Sequence, residues 1–177
     1  MLLLLGWKLN VVKIYLGIGS NIDPEKNIAE GLKSLEAFFS TLEISPTYLA
    51  PPFGFDGDDF YNLVVCANTE FSITEIVNLL RQIEFDHGRP EHAVKFSSRT
   101  LDIDLLLFGD YVGKISEYKI PRSDIDKFDF VLRPLQDIAG CDIHPVSGKS
   151  FAELWKIMNE GAESELKLVS KQKNLCV

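Results

Sequence analysis

The sharpest chemical signal in the chain is Arg99-Thr100-Leu101-Asp102-Ile103-Asp104-Leu105-Leu106-Leu107-Phe108. Its apolar residues predict a central, buried strand over Leu101 to Phe108. Side chains alternate faces along a strand, so Asp102 and Asp104 project the same way. Two neighbouring carboxylates in such a strand are costly unless something compensates their charge. Three compensations are open: pairing with arginine, a raised pKa on one member, or a bound divalent cation. Magnesium takes one or two protein carboxylates with phosphate oxygens and water, and this spacing suits that donor set. The competing reading is a pair of edge-exposed carboxylates in salt bridges.

A second signal precedes that strand. Residues 89 to 99 hold Arg89, Lys95 and Arg99 against one acid, Glu91. A locally basic loop leading into a carboxylate pair suits the clamping of charge in phosphoryl transfer. Taken alone, the same loop reads as solvated surface. A third signal lies at 50–62. There Phe53, Phe55, Phe60 and Tyr61 crowd a loop rich in Pro and Gly, with Asn62 following at a strand start. Flat heteroaromatic ligands are held by stacking plus a few fixed hydrogen bonds, and an Asn amide reads a pyrimidinone-like edge with both donor and acceptor. Any single Phe here equally caps the core.

Other chemistries lack their residues. There is no GxxxxGK[ST] phosphate loop, no dinucleotide GxGxxG, no GxSxG elbow and no HExxH. His87, His92 and His144 read as surface or structural residues. Gly17-Ile18-Gly19-Ser20-Asn21 reads as a short turn of the scaffold. The net charge of −8 argues against a broad polyanion-binding face, so no nucleic-acid partner is expected. Cys66, Cys141 and Cys176 share no short spacing, which suggests neither a zinc site nor a redox pair, and the odd count fits a reducing cytoplasm. The greasy start, Met1 to Leu5, is too short for a leader. No stretch approaches the ~20 apolar residues of a membrane span.

The 177 residues make one domain, expected over 1–177. Residues 1–10 read as an extra strand or a mis-called start, and the tail from Lys167 reads as mobile. Strands are expected over Val11–Ile18, Leu42–Leu49, Tyr61–Thr69, Leu101–Phe108 and Tyr111–Ile115. Asp23 and Pro24 open a first helix as N-cap and first-turn proline, with Ile28, Leu32, Leu35 and Phe39 at helical spacing. Ser72 and Glu75 form a capping box for a second helix over Ser72–Phe85. Ser123–Asp137 reads as short helices interrupted at Pro134, and Ser150–Met158 as a last short helix. Two β-α-β halves of this kind build an antiparallel sheet with helices on its faces: a ferredoxin-like αβα sandwich of the α+β class.

With these residues in view, the chain resembles the 6-hydroxymethyl-7,8-dihydropterin pyrophosphokinase family, roughly over Val12–Leu154. The matching blocks are LGIGSN at 16–21, APPFG at 50–54, FYN at 60–62, IE…GR at 83–89, RTLDIDLLLFG at 99–109, IP at 120–121, FVLRPLQDIA at 130–139 and HPVSGK at 144–149. The resemblance implies the ferredoxin-like fold and transfer of pyrophosphate from ATP to the pterin hydroxymethyl group, releasing AMP, in folate biosynthesis. It also implies site roles. Asp102 and Asp104 would hold two Mg²⁺ ions, with Asp102 helping to take the hydroxyl proton. Arg89 and Arg99 would contact phosphates. Ala50, Phe53, Phe60, Asn62 and Phe130 would form the pterin pocket, with Phe60 and Phe130 sandwiching the ring. Glu84, Arg89, Lys95, Phe96, Arg99 and Arg122 would meet the nucleotide. The loops at 50–60 and 89–98 would close over substrates. A cytoplasmic monomer is expected.

The chain departs from that family in places. Phe96-Ser97-Ser98-Arg99 stands where the family has Trp-Gly-Pro-Arg, and Arg122 replaces a His. Ala50 stands for a threonine, Phe60 for a tyrosine and Glu91 for an arginine, while another family arginine falls near Lys127 or Phe128. Lys95, Arg122 and Lys127 are candidates for re-sited basic groups. The alternative is a non-catalytic or altered-specificity pterin- or nucleotide-binding paralogue. A polymerase-β-type nucleotidyltransferase fits poorly, because Ser20 lies far in sequence from Asp102.

Overall fold

A β-branched and apolar run carries Val12–Ser20 into one nine-residue strand, β1. The computed structural model describes residues 11–90, 97–160 and 164–170. After β1 come α1 (Pro24–Glu36), β2 (Leu42–Ile44), β3 (Thr47–Ala50), β4 (Phe60–Thr69), α2 (Ile73–Asp86) and β5 (Asp102–Phe108). Then follow β6 (Gly113–Ile115), β7 (Tyr118–Ile120), a 3₁₀ turn at Ser123–Asp126, α3 (Asp129–Ala139), α4 (Phe151–Met158) and β8 (Lys167–Ser170).

The main sheet runs β5-β1-β4-β3-β8, with β2 also paired to β4, and its pairings are antiparallel. Among the described residues β5 is therefore an edge strand and not the central one expected: its apolar residues are buried by helices on both faces rather than by a strand on either side. β6 and β7 form a separate hairpin. On one face α1 and α2 bury Ile28, Leu32, Leu35, Ile76, Leu80 and Ile83 against Ile14, Leu16, Ile18, Leu63, Val65, Ile103 and Leu105. On the other face α3 and α4 bury Leu132, Leu135, Ala139 and Phe151 against Tyr15, Val64, Cys66, Leu106 and Leu107. At ~1.5–3 kcal/mol for each fully buried large aliphatic, these two layers hold the sheet rigid beneath the site. This is the expected ferredoxin-like αβα sandwich. No described helix is long and apolar enough to cross a membrane.

The Ser72–Glu75 capping box opens α2 as expected, and a second box, Ser150 with Glu153, opens α4. Several local expectations are corrected. Asp23 holds the N-cap position and Pro24 the first turn of α1 as expected, but Asp23 lies in the left-handed region, φ 41°, and its side chain makes no capping hydrogen bond. Its backbone carbonyl accepts from Asn27 N instead. The strand expected over 42–49 divides at Ser45-Pro46, because Pro lacks the N–H a ladder needs. The outer arm expected at Tyr111–Ile115 is shorter, and its partner β7 was not foreseen.

Pro134 does not interrupt α3. It is buried among the residues α3 turns towards the sheet, and tertiary packing there outweighs the lost backbone hydrogen bond. The tail does not begin at Lys167: Lys167–Ser170 pairs with β3 as an edge strand. The readings for residues 1–10 and 171–177 lie outside the described residues. Gly17 and Gly19 sit inside β1 rather than in a turn after it.

Candidate active site

That last correction shapes the site. In the sheet register, Gly19 of β1 lies between Asn62 of β4 and Asp102 of β5, and Gly17 lies between Val64 and Asp104. Two glycines at period two leave a bare strip on one sheet face, flanked by the carboxylate pair and by Asn62. A Cβ on Gly19 would sit 3.5 Å from Asn62 Oδ1 and 3.6 Å from the Phe60 ring. A small cavity of about 90 Å³ covers this strip, with Phe130 and Val131 of α3 and Asp124 among its walls.

Next to it opens a cleft of about 750 Å³. It gathers Asp102, Asp104, Arg89, Arg99, Arg122, Phe53, Phe55, Phe60, Asn62 and Phe130. Residues from β4, α2, β5 and α3, more than forty positions apart in places, thus face one volume. Its size suits a drug-sized ligand or larger.

Both acids are paired with arginine. Arg89 Nη1 donates to Asp102 Oδ1 at 2.9 Å and lies 2.6 Å from Glu84 Oε1. Arg122 Nη2 donates to Asp104 Oδ2 at 3.1 Å and lies 2.8 Å from Asp124 Oδ2. Arg99 Nε is 3.9 Å from Asp102 Oδ1. Asp102 and Asp104 nevertheless keep 39% and 40% of their side-chain surface open to the cleft. Loss of solvation at the cleft floor pushes Asp104 up to about 6, with Arg122 opposing and Asp102 reinforcing the shift. Glu84, 4% exposed, is pushed up to about 7 by burial, against the hydrogen bond it accepts from Ile103 N at 2.8 Å. Of the three compensations open from the sequence, arginine pairing and a raised pKa therefore both operate.

The donor set also fits a hard divalent cation. Two cleft-facing carboxylates offer oxygen ligands on one face of a rigid strand, with room beside them for phosphate oxygens and water. Among the described residues no group of three or more His, Cys, Asp or Glu is placed to hold an ion by itself. A cation held by these two carboxylates would keep coordination positions open for water or other oxygen ligands.

The Gly19-Ser20-Asn21 segment, read from sequence as scaffold only, clamps the loop leading into β5. Ser20 Oγ donates to Thr100 O at 2.6 Å. Asn21 is buried; its Oδ1 accepts from Arg99 N at 2.7 Å, and its Nδ2 donates to Asp58 O at 3.0 Å and Ser98 Oγ at 3.2 Å. One side chain thereby ties both loops flanking the cleft to β1. Asn21 and Asp124 were missed from sequence. For Asn21 the signals were a polar residue directly after a strand and its place in the LGIGSN block; Asp124 had none.

The aromatic arm is assembled by packing. Phe130 stacks on Phe128, centroids 4.9 Å apart at 15°, and Phe53 meets Phe128 edge-on at 4.9 Å. Phe55 stands edge-on to Phe60 at 6.2 Å. Asn62 Nδ2 donates to Phe60 O at 3.0 Å, which fixes the amide beside the ring. Ala50 does not line the main cleft. It borders a second cavity of about 480 Å³, with Lys127, Phe128 and Met158, and Phe53 and Phe130 face both. Glu84 borders the cleft, but its Oε1 is engaged with Ile103 and Arg89. Lys95 and Phe96 lie outside the described residues.

Comparison with known proteins agrees with this geometry. Residues 15–140 match the family model for 7,8-dihydro-6-hydroxymethylpterin-pyrophosphokinase. The chain is 34% identical over 142 residues to 2-amino-4-hydroxy-6-hydroxymethyldihydropteridine pyrophosphokinase of Aquifex aeolicus, covering 79% of this chain and 88% of that one. It is 31% identical to the protein of that name from Pseudomonas aeruginosa, covering 81% and 90%. Among solved structures, the Plasmodium falciparum HPPK-DHPS crystal structure with pteroate shares the fold, with TM-score 0.64 at 15% identity over 84% of this chain. The present chain spans 42% of that longer one.

Proposed function

Because the chain belongs to the 7,8-dihydro-6-hydroxymethylpterin-pyrophosphokinase family, a family of diphosphotransferases of folate biosynthesis, we propose that it moves the β,γ-pyrophosphoryl group of ATP to the hydroxymethyl oxygen of 6-hydroxymethyl-7,8-dihydropterin in a Mg²⁺-dependent reaction. AMP is the other product. The observation that carries this reading is one cleft joining the acid pair, Arg89, Arg99 and Arg122, and the aromatic–Asn62 arm.

The roles follow from chemistry. Phe60 and Phe130 hold the flat pterin ring by stacking, Asn62 reads its pyrimidinone edge, and Phe53 with the backbone near Ala50 closes that arm. This fixes the hydroxymethyl oxygen relative to the phosphates, and such positioning is a large share of phosphoryl-transfer catalysis. Asp102 and Asp104 would hold Mg²⁺, two ions being expected. Bound there, magnesium would neutralise polyphosphate charge as the bond to AMP breaks. Arg99 and Arg89 stabilise the same charge from the side, and Arg122, with Lys95, Phe96 and Glu84, borders the nucleotide. Asp102 accepts the proton leaving the attacking hydroxyl. The protein acts as a cytoplasmic monomer without a nucleic-acid partner.

The deciding assay is product analysis with ATP, Mg²⁺ and the hydroxymethyl-dihydropterin. AMP with the pterin diphosphate is expected. Free pyrophosphate would point to nucleotidyl transfer, and binding of both substrates without AMP would mark a non-catalytic paralogue.

A further inference from the structure

Each acid of the pair is held by an arginine, and each arginine has a second carboxylate behind it. The chains are Asp102–Arg89–Glu84 and Asp104–Arg122–Asp124. In each a single nitrogen serves both acids, Arg89 Nη1 in the first and Arg122 Nη2 in the second, the latter at 3.1 Å from Asp104 and 2.8 Å from Asp124. Arg122 Nε is buried without a hydrogen-bond partner among the described residues, so the contacts to both acids run through the far end of the guanidinium. The root of the side chain is fixed, because Arg122 N donates to Leu106 O on β5 at 3.0 Å. Asp124 lies two residues further on, in the 3₁₀ turn, and travels with the same backbone.

A cation arriving at Asp104 must compete with Arg122. If Arg122 had only Asp104, displacement would leave a guanidinium without its acid in a partly desolvated cleft, a heavy penalty. With Asp124 already in contact, Arg122 gives up one acceptor and keeps the other.

We propose that Arg122 is an exchangeable counter-cation, which neutralises Asp104 in the nucleotide-free protein and is retained by Asp124 when a divalent cation takes Asp104. The assignment rests on Asp104 being a cation ligand, as in the function proposed above. It makes Asp124 a positioning residue whose effect runs entirely through Arg122. A simple field effect would act differently, since Asp124 would then attract a cation whether or not Arg122 were present.

The test is Mn²⁺ binding to the nucleotide-free full chain, read by water-proton relaxation, for wild type, Asp124→Asn, Arg122→Gln and the double variant. Asp124→Asn is expected to weaken binding about tenfold and Arg122→Gln to tighten it about tenfold. The double variant is expected to match Arg122→Gln alone. Equal weakening by Asp124→Asn with and without Arg122 would overturn the exchange, as would unchanged affinity in Arg122→Gln. If Arg122→Gln fails to fold by circular dichroism, Arg122→His, with its shorter side chain, enters the same cycle. AMP formation by wild type is assayed in parallel. AMP with additive effects, or AMP without Mn²⁺ binding to the nucleotide-free protein, overturns only the exchange. Absence of both AMP and Mn²⁺ binding overturns the functional reading with it.

Discussion

Asn62 and Asp102 lie in one lateral row of the sheet, two strands apart, with only the hydrogen of Gly19 between them. The row brings the Asn62 amide and the Asp102 carboxylate to opposite edges of a bare strip. Gly19→Ala would place a methyl at ordinary contact distance from Asn62 Oδ1 and the Phe60 ring, 3.5 and 3.6 Å. The fold should tolerate it, with a stability change within about 1 kcal/mol. Calorimetric titration should show pterin affinity reduced about tenfold, the scale of one misplaced methyl in a fitted pocket, and nucleotide affinity unchanged. Unchanged pterin affinity would remove the strip from the ring-binding site.

Asp104 must be ionised to accept a cation, and burial lifts it to about 6. Below that pH it is protonated, so kcat/KM, which reports groups on the free enzyme, should rise with pH through about 6. Asp104→Asn, close in size and neutral, should lower turnover by at least about a hundredfold, while the circular dichroism spectrum stays unchanged. Turnover near wild type in that variant would refute the metal role.

Glu84 gives a pH signature in stability. Its folded value is raised to about 7, above the ~4.3 of an unfolded chain. The folded protein therefore holds more protons across that window. The contribution is fully present below the unfolded value and is lost as pH rises through about 7. Glu84→Gln keeps an oxygen for Ile103 N and Arg89 but does not titrate. Urea unfolding at pH 5 and pH 7 should show a smaller loss of stability over that interval in the variant than in wild type. Equal losses would mean that Glu84 is not the titrating group.

Asn21 predicts a coupled loss of stability and binding. Asn21→Ala removes the hydrogen bonds to Asp58 O, Ser98 Oγ and Arg99 N. With those groups left short of partners, about 2–3 kcal/mol of stability should go. Because the same side chain fixes the approach to β5 and the 50–59 loop, KM should rise for both substrates more than kcat falls. A fall in kcat alone would contradict the clamp.

Much of the architecture is written locally. The Ser72–Glu75 box and the Ile76, Leu80 and Ile83 stripe predict α2 because both depend on neighbours within one or two turns. The Asp102–Asp104 alternation likewise places both acids on one face from strand period alone. The misses have longer-range causes. Gly17 and Gly19 look like a turn in isolation, and only pairing with β4 and β5 makes them strand. Pro134 should break a helix by propensity, yet burial against the sheet keeps α3 continuous. The strand character of Lys167–Ser170 depends on the edge of β3.

The amino-acid order alone determined the layered α+β class, the shared face of the two acids, and a basic loop and aromatic patch in the same chain, since each depends on periodicity or composition over a few residues. Only the tertiary structure decided that these patches line one cleft, that Arg89 and Arg122 take opposite members of the acid pair, that Asn21 ties the two flanking loops together, and that Ala50 faces another cavity. Those outcomes rest on strand register and helix packing between segments far apart in the chain. Contact energies of that kind exist only once the backbone has closed on itself.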